Sequence, residues 1–394
     1  MAIRKITEDV LFLGSIDWDR RLFDELIPLP AGTSYNCYLV KGSEKTALLD
    51  TVDPAKTGEL ITKLKHLNLT DLDYIIAHHA EQDHSGSIPA VLAMFPKARV
   101  VTNQKCATAL QDLLHIDSSR FTIINDGDRL SLGNKSIKFI FTPWVHWPET
   151  MVSYLEEDKV LFSCDFLASH LATSYLFTES EARVYESAKR YYAEIMMPFR
   201  ATISKNLDKI STLDIKFIAP SHGPVYSKPE FIINAYKDWT ADSVKNQVLV
   251  PYVSMHESTK ILVDRLIDSL IEKDIVVKPF NLTRTDLGEL AISLVDAATM
   301  VVGTPTVLGG PHPQALYAAA LTNALRPKLK YISVIGSYGW GGKAVETLAS
   351  MLTGIKPEII EPVLIKGLPK EDDLKKIDGL AGKIYAKHKE LGLI

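Results

Sequence analysis

The chain has 394 residues, 46% of them hydrophobic and 23% charged, with a formal net charge of −4. That length is ample for two hydrophobic cores and the balance is that of a soluble globular protein, while the lack of a long basic run argues against nucleic acid or an anionic membrane as a partner. The start, "MAIRKITEDVLFLGSIDWD", lacks an apolar core followed by a small-residue cleavage site. No stretch reaches the ~18–20 apolar residues of a membrane span, so a cytoplasmic protein is expected. Cys37, Cys106 and Cys164 lie far apart and form no CxxC pair. A disulfide framework, a zinc ribbon or a rubredoxin-type iron site within the chain is therefore not expected.

In chain order, "SYNCYLVKG" and "KTALLDTV" read as two strands joined by a polar turn, and "GELITKLKHL" has helical spacing of its apolar positions. Four short apolar runs follow, each leading to a potential metal ligand. "LDYIIA" leads to His78 and His79, "SIKFIFTPWV" to His146, "KVLFSC" to Asp165 and "IKFIAPS" to His222. Four strands of one sheet are expected to converge their ends on one point. Past a helix near "EFIINAYKDWTADSVKN" the style changes: "QVLVPYV", "IVVKPFNL", "TMVVGTPT" and "YISVIGSY" read as strands alternating with helices. That alternation predicts a parallel sheet covered on both faces. No internal repeat or low-complexity tract is present.

The densest chemistry is "HHAEQDHSG", His78 to Gly86, in which His79, Glu81, Asp83 and His84 follow a strand and can fan around one centre. His78 falls outside that spacing and reads as structural, and Asp50 reads as orienting a ligand or a loop. His84 either ligates or sits just outside. His170 is expected on a different surface, and Tyr191 and Tyr192 are expected in the core. Zinc accepts histidine and carboxylate, whereas iron and manganese sites take more oxygen donors. Glu81 therefore tilts the set toward a redox metal without deciding it.

Three loops in the second half suit a mononucleotide. Ser254, Met255, His256, Glu257, Ser258 and Thr259 follow a strand and open a helix, offering hydroxyls and free N–H groups to a phosphate. The glycines of a dinucleotide fingerprint are missing there. "GTPTVLGG" with Thr304, Pro305 and Thr306, and "GSYGWGG" with Ser337, Tyr338, Gly339, Trp340 and Gly341, follow two further strands. All three loops would lie at the carboxyl edge of the sheet, where such folds bind ligands. Together they resemble flavodoxin, which holds FMN.

The pattern H-x-E-x-D-H, followed by His146, Asp165 and His222, resembles the metallo-β-lactamase superfamily, whose hydrolases carry H-x-H-x-D-H and two zinc ions. Joined to a flavodoxin-like half, and with "GSIDWDRRLFDE", "TPWVHWPETM", "RYYAEIMMPF" and "APSHGPV", the whole chain resembles the flavodiiron proteins, or A-type flavoproteins. The resemblance implies an α/β protein: a metallo-β-lactamase-like αβ/βα sandwich over residues 1–246, and a flavodoxin-like doubly wound sheet over 247–394. It implies FMN and two iron ions per chain, with dioxygen reduced to water or nitric oxide to nitrous oxide. By position, His79, Glu81 and His146 would hold one iron, Asp83, His84 and His222 the other, and Asp165 would bridge them, with no catalytic residue beyond these ligands. A head-to-tail homodimer, or a dimer of dimers, is implied, with rubredoxin or a reduced deazaflavin as donor. His256 and Glu257 depart from the family's phosphate loop, which bears on FMN affinity rather than on its identity. The rival readings are a zinc hydrolase with a flavodoxin-like appendage and a non-catalytic FMN electron carrier.

Overall fold

The computed structural model describes residues 3–394. They divide into two compact units, one of residues up to 192 together with 199–240, the other of 193–198 together with 241–394.

The first unit is built on two sheets. One runs in the order Arg4–Lys5, Val10–Phe12, Tyr38–Lys41, Thr46–Leu49, Tyr74–Ile76, Arg99–Thr102, Phe121–Ile123; the other runs Arg129–Ser131, Ser136–Phe141, Met151–Leu155, Val160–Cys164, Phe217–Pro220. Period-two alternation along the first sheet feeds two separate cores. Leu11, Leu39, Leu48, Ile75 and Val100 pack against Leu60, Leu64, Ile88, Val91 and Leu110 of the helices. Their neighbours Val10, Phe12, Val40, Leu49, Ile76 and Val101 face the second sheet, meeting Ile137, Phe139, Met151, Leu155, Val160 and Phe162. Each such side chain, fully buried, contributes roughly 1.5–3 kcal/mol, so the alternation itself fixes which face of the sheet meets which layer. This is the metallo-β-lactamase-like sandwich.

Local signals set the helices. Thr57–His66 opens after a short turn in which Asp53 accepts the N–H of Ala55. Gln104–Leu114 is capped by Asn103, whose side chain accepts the N–H of Cys106, and it ends where His115 turns left-handed at φ 54°.

The four ligand-bearing runs do not belong to one sheet. Tyr74–Ile76 lies in the first sheet, beside Thr46–Leu49, whereas Ser136–Phe141, Val160–Cys164 and Phe217–Pro220 lie in the second. An apolar run announces a strand but not its sheet, because both sheets bury a face in the same central core. The converging ends come from both sheets, and His78 ties them together. Its Nδ1 meets Asp50 Oδ2 at 2.7 Å next to the first sheet, and its Nε2 meets Ser153 Oγ at 2.6 Å on the second.

The second unit holds a parallel sheet in the order Val276–Asn281, Lys245–Tyr252, Ala297–Val307, Tyr331–Tyr338, then Glu358–Ile359 and Val363–Lys366 along one edge. Numbered within the unit this is 2-1-3-4-5, the flavodoxin-like doubly wound arrangement. Val248, Val250, Val301 and Ile335 of its strands bury against Leu262, Leu266, Ile377 and Ile384 of the helices. Among the described residues no helix is long and apolar enough to cross a membrane.

Candidate metal centre

The first ligand segment is a strand end that turns into helix. The strand stops at Ile76, Glu81 takes extended dihedrals (φ −57°, ψ 138°), and Gln82–Ser85 form one short helix carrying Asp83 and His84. The carboxylate of buried Glu149, from "HWPET", accepts the N–H of Ala80 at 3.1 Å and so anchors the backbone between His79 and Glu81. Asp165 follows directly on Val160–Cys164, and His222 lies two residues past Phe217–Pro220. His146 differs from the expectation of a strand end. Its strand stops at Phe141, and His146 sits in a loop closed by hydrogen bonds from Thr142 N to Thr150 O and from Trp144 N to Trp147 O. Pro143 cannot donate to a ladder, which is a physical reason for the early stop.

All seven residues named from the sequence come to one place, in two groups. His79, Glu81, His146 and Asp165 place ligand atoms within 4.8 Å of one another, and Asp83, His84 and His222 do the same. Asp165 faces both groups. Its Oδ2 lies 3.0 Å from His79 Nε2 and 3.4 Å from His146 Nε2, while its Oδ1 lies 3.1 Å from His84 Nε2 and 3.5 Å from His222 Nε2. Glu81 Oε2 is 3.3 Å from His79 Nε2 and 3.1 Å from His146 Nε2. Asp83 Oδ2 is 3.2 Å from both His84 Nε2 and His222 Nε2.

Hydrogen bonding accounts for only part of this convergence, the bonds of Glu81 with His79 and His146. Both carboxylate oxygens of Asp83 and both ring nitrogens of His84 are buried without a hydrogen-bond partner. Buried polar atoms are rarely left so, and leaving them costs on the order of 1–3 kcal/mol each. Lone pairs aimed at a common centre rather than at one another suit a cation. Four imidazoles with three carboxylates suit iron, manganese or zinc. Burial opposes charge on His84 and His146, but the carboxylates beside them prevail and push both imidazoles up to about 9. Burial works against the Asp165 carboxylate too, yet His84 and His79 hold it well below the usual range.

These directions carry a test. In metal-free protein the stabilisation from the charged His84 and His146 pairs is full below the unfolded imidazole value of ~6.5 and is lost as pH rises through about 9. A metal must displace those protons. Binding of cobalt(II) or iron(II) to metal-free chain is therefore expected to tighten as pH rises from about 6 toward 9 and to release protons at neutral pH. Titration in weak buffer with a pH indicator reads both, and uptake without proton release would speak against this electrostatic picture.

The surroundings correct one expectation and add residues that the sequence did not single out. His170 is not on another surface: its ring centroid is 4.7 Å from that of His222, its Nδ1 meets Thr33 Oγ1 at 2.8 Å, and its Nε2 is buried without a partner. A turn over residues 165–167, in which Ala168 N donates to Asp165 O, redirects the chain, which spacing alone does not reveal. Tyr191 and Tyr192 are both buried, and Tyr191 also packs on His170 at 4.8 Å. Ser221 donates to Asp165 Oδ1 at 2.5 Å, and His222 Nδ1 donates to Ser34 O at 2.6 Å. Ser221 was legible only as the neighbour of His222. A cleft of about 590 Å³ lined by Arg20, Phe23, Asp24, Asp53, Glu81, Asp83 and Trp147 opens onto the ligands.

In the second unit, Glu257 before the helix Ser258–Ile271 is left-handed at φ 64° and its own side chain does not cap the helix. Ser254 Oγ accepts the N–H of Lys260 at 3.2 Å, which folds Ser254, Met255 and His256 over the helix start. Thr259 Oγ1 lies 3.3 Å from Ser337 Oγ, and the strands pair Thr304 with Gly336 and Pro305 with Ser337. These contacts bring the three loops, with Thr306 and Tyr338 at their strand ends, to one edge of the sheet. Gly342 is sterically required there, since a Cβ would stand 2.6 Å from Thr306 Cγ2, whereas one on Gly339 or Gly341 would meet nothing. Trp340 is 77% exposed at the rim. A helix start beside hydroxyls fits a phosphate.

The model of the ODP family beta lactamase matches residues 33–223. The chain is 36% identical to the nitric oxide reductase of Moorella thermoacetica, over 97% of this chain and 98% of that one. Among solved structures, rubredoxin oxygen:oxidoreductase from Desulfovibrio gigas superposes with a TM-score of 0.95 at 28% identity, covering 99% of each chain. The flavodiiron protein of Giardia intestinalis superposes with a TM-score of 0.90 at 25% identity, covering 99% of this chain and 98% of that one. A sandwich whose H-x-E-x-D-H motif carries Glu81 in place of the hydrolases' second histidine, a 2-1-3-4-5 sheet later in the chain, and likeness to these proteins from end to end make the chain a member of the flavodiiron protein family.

Proposed function

We propose that this protein is a flavodiiron oxidoreductase that reduces dioxygen to water, nitric oxide to nitrous oxide, or both. In this reading residues 1–246 form the diiron domain and residues 247–394 the FMN domain. The observation that carries it is the Asp165 carboxylate, which turns one oxygen to His79 and His146 and the other to His84 and His222. A carboxylate so placed suits two ions rather than one. His79, Glu81 and His146 would hold one iron, and Asp83, His84 and His222 the other, with His84 a direct ligand. Ser254 to Thr259, Thr304 to Thr306 and Ser337 to Gly341 would hold FMN.

Bound iron supplies one-electron redox chemistry with open coordination positions, and FMN exchanges electrons singly or in pairs. The chain's own residues do the rest. Glu81 and Asp165 place negative charge against the metals. His170 and Tyr191 pack behind His222, where buried side chains keep bulk water from that side of the site. The cleft beside Glu81 and Asp83 admits a small gas. Reducing dioxygen to two waters takes four electrons and four protons; reducing two nitric oxide molecules to nitrous oxide and water takes two of each. Two similar proteins, one named a nitric oxide reductase and the other a rubredoxin oxygen:oxidoreductase, lend support to both gases. The electrons would come from rubredoxin or a reduced deazaflavin, and a head-to-tail homodimer or a dimer of such dimers would set one subunit's FMN beside its partner's iron.

The test is turnover of iron- and FMN-loaded protein with each gas separately, using reduced rubredoxin and reduced deazaflavin as donors. Water or nitrous oxide is expected as the main product, with activity lost when either cofactor is removed. Hydrogen peroxide as the main product from dioxygen, together with no nitrous oxide from nitric oxide, would overturn the proposal.

A further inference from the structure

The three cysteines are all free and buried, and one of them touches the metal centre. Cys164 Sγ lies 3.4 Å from His79 Nδ1, the ring nitrogen opposite the one that faces Asp165 and Glu81. We propose that Cys164 is a positioning residue, its sulfur accepting the Nδ1–H of His79 and so fixing the tautomer and ring angle that turn Nε2 to the metal. The inference rests on the reading of His79 as a metal ligand.

Three observations support it. Cys164 closes a strand whose register with Phe217–Pro220 shifts between Phe162 and Cys164, and its backbone is left-handed at φ 53°. A non-glycine residue in that region is uncommon, and at the end of a strand it re-aims the side chain. Here the re-aimed thiol meets the imidazole. Second, a ligating histidine almost always gives its distal N–H to an acceptor. His222 finds one in Ser34 O, and among the described residues His79 Nδ1 meets Cys164 Sγ. Third, Cys164 directly precedes Asp165, so one bulged strand end sets both the bridging carboxylate and the support of a histidine.

The two supports differ in kind. A backbone carbonyl is a strong acceptor, while sulfur is a weak one. His79 is thereby the less electron-rich donor of the two, which adds to the difference that Glu81 and Asp83 already set between the two metal positions.

The experiment compares wild type, Cys164→Ala and Cys164→Ser, all demetallated and then titrated anaerobically with cobalt(II) against a competing chelator. Alanine, serine and cysteine carry the same unbranched Cβ and meet similar backbone strain at this φ, so differences report the hydrogen bond. Cys164→Ala is expected to weaken one of the two binding steps by about ten-fold, at the low end for lost support of a ligand histidine, and to leave the other unchanged. Cys164→Ser, which restores an acceptor, is expected to recover that step and to alter the cobalt absorption bands of that site. Equal affinities for wild type and Cys164→Ala, or a loss of both steps that serine does not rescue, would overturn the positioning role while leaving the two-metal reading intact. A wild type that binds fewer than two ions would overturn the reading itself and the inference with it.

Discussion

Asp165→Ala is expected to lose nearly all bound iron, more than any single histidine change. The carboxylate is at most 2% exposed, and each of its oxygens stands 3.0–3.5 Å from two imidazoles. In a two-metal site the ions sit ~3.5–4 Å apart, and at that distance two dications repel strongly even at an effective dielectric of ~20. Removing the anion between them exposes that repulsion and deletes a ligand from both. His146→Ala and His222→Ala each remove one donor from one group and are expected to cost about half the iron or less. Iron per chain in the three variants, purified side by side, decides it. Equal content in all three would contradict the bridging role.

Glu81→His is expected to lower turnover at least about ten-fold while FMN stays bound, since even residues that only support a metal ligand are worth ~10–100-fold. Glu81 sits beside His79 and His146 with its carboxylate below the usual range: burial works against the charge, but hydrogen bonds from His146 and His79 outweigh it. Histidine there would exchange a negative oxygen donor for a neutral nitrogen and turn the motif into H-x-H-x-D-H, the pattern of a zinc hydrolase. Full oxidase or nitric oxide reductase activity in the iron-loaded variant would show that this carboxylate does not matter. Loss of FMN along with activity would show instead a general collapse.

Much of this site was legible because its signals are local. The spacing of His79, Glu81, Asp83 and His84 is set within six residues, and Asp165 and His222 come one and two residues after apolar strands. The three loops proposed for the flavin were equally local, each a polar or glycine-rich stretch at a strand's end. What the sequence hid depends on longer-range geometry. Which sheet a strand joins is decided by pairing partners distant in the chain, so the four runs looked like one sheet when they are split between two. His146 lies in a loop held by its own hydrogen bonds, and its apolar lead-in gave no sign that the strand stops at Phe141. His170 looked remote because the turn over residues 165–167 carries no glycine or proline to announce it. Cys164 looked like an ordinary buried thiol. Its contact with His79 spans 85 residues and arises from a strand bulge, which apolar patterning does not display. His78 is the reverse case: spacing set it aside as structural, and its hydrogen bonds to Asp50 and Ser153 show what it holds together.

The central claim is that two metal ions share Asp165. Electron paramagnetic resonance of the iron-loaded protein, poised halfway between its oxidised and reduced forms, tests it most directly, read together with iron per chain. The account predicts about two iron ions per chain and a coupled mixed-valence signal with g values below 2, abolished in Asp165→Ala. Isolated high-spin ferric signals, with one iron per chain and no change in Asp165→Ala, would contradict it.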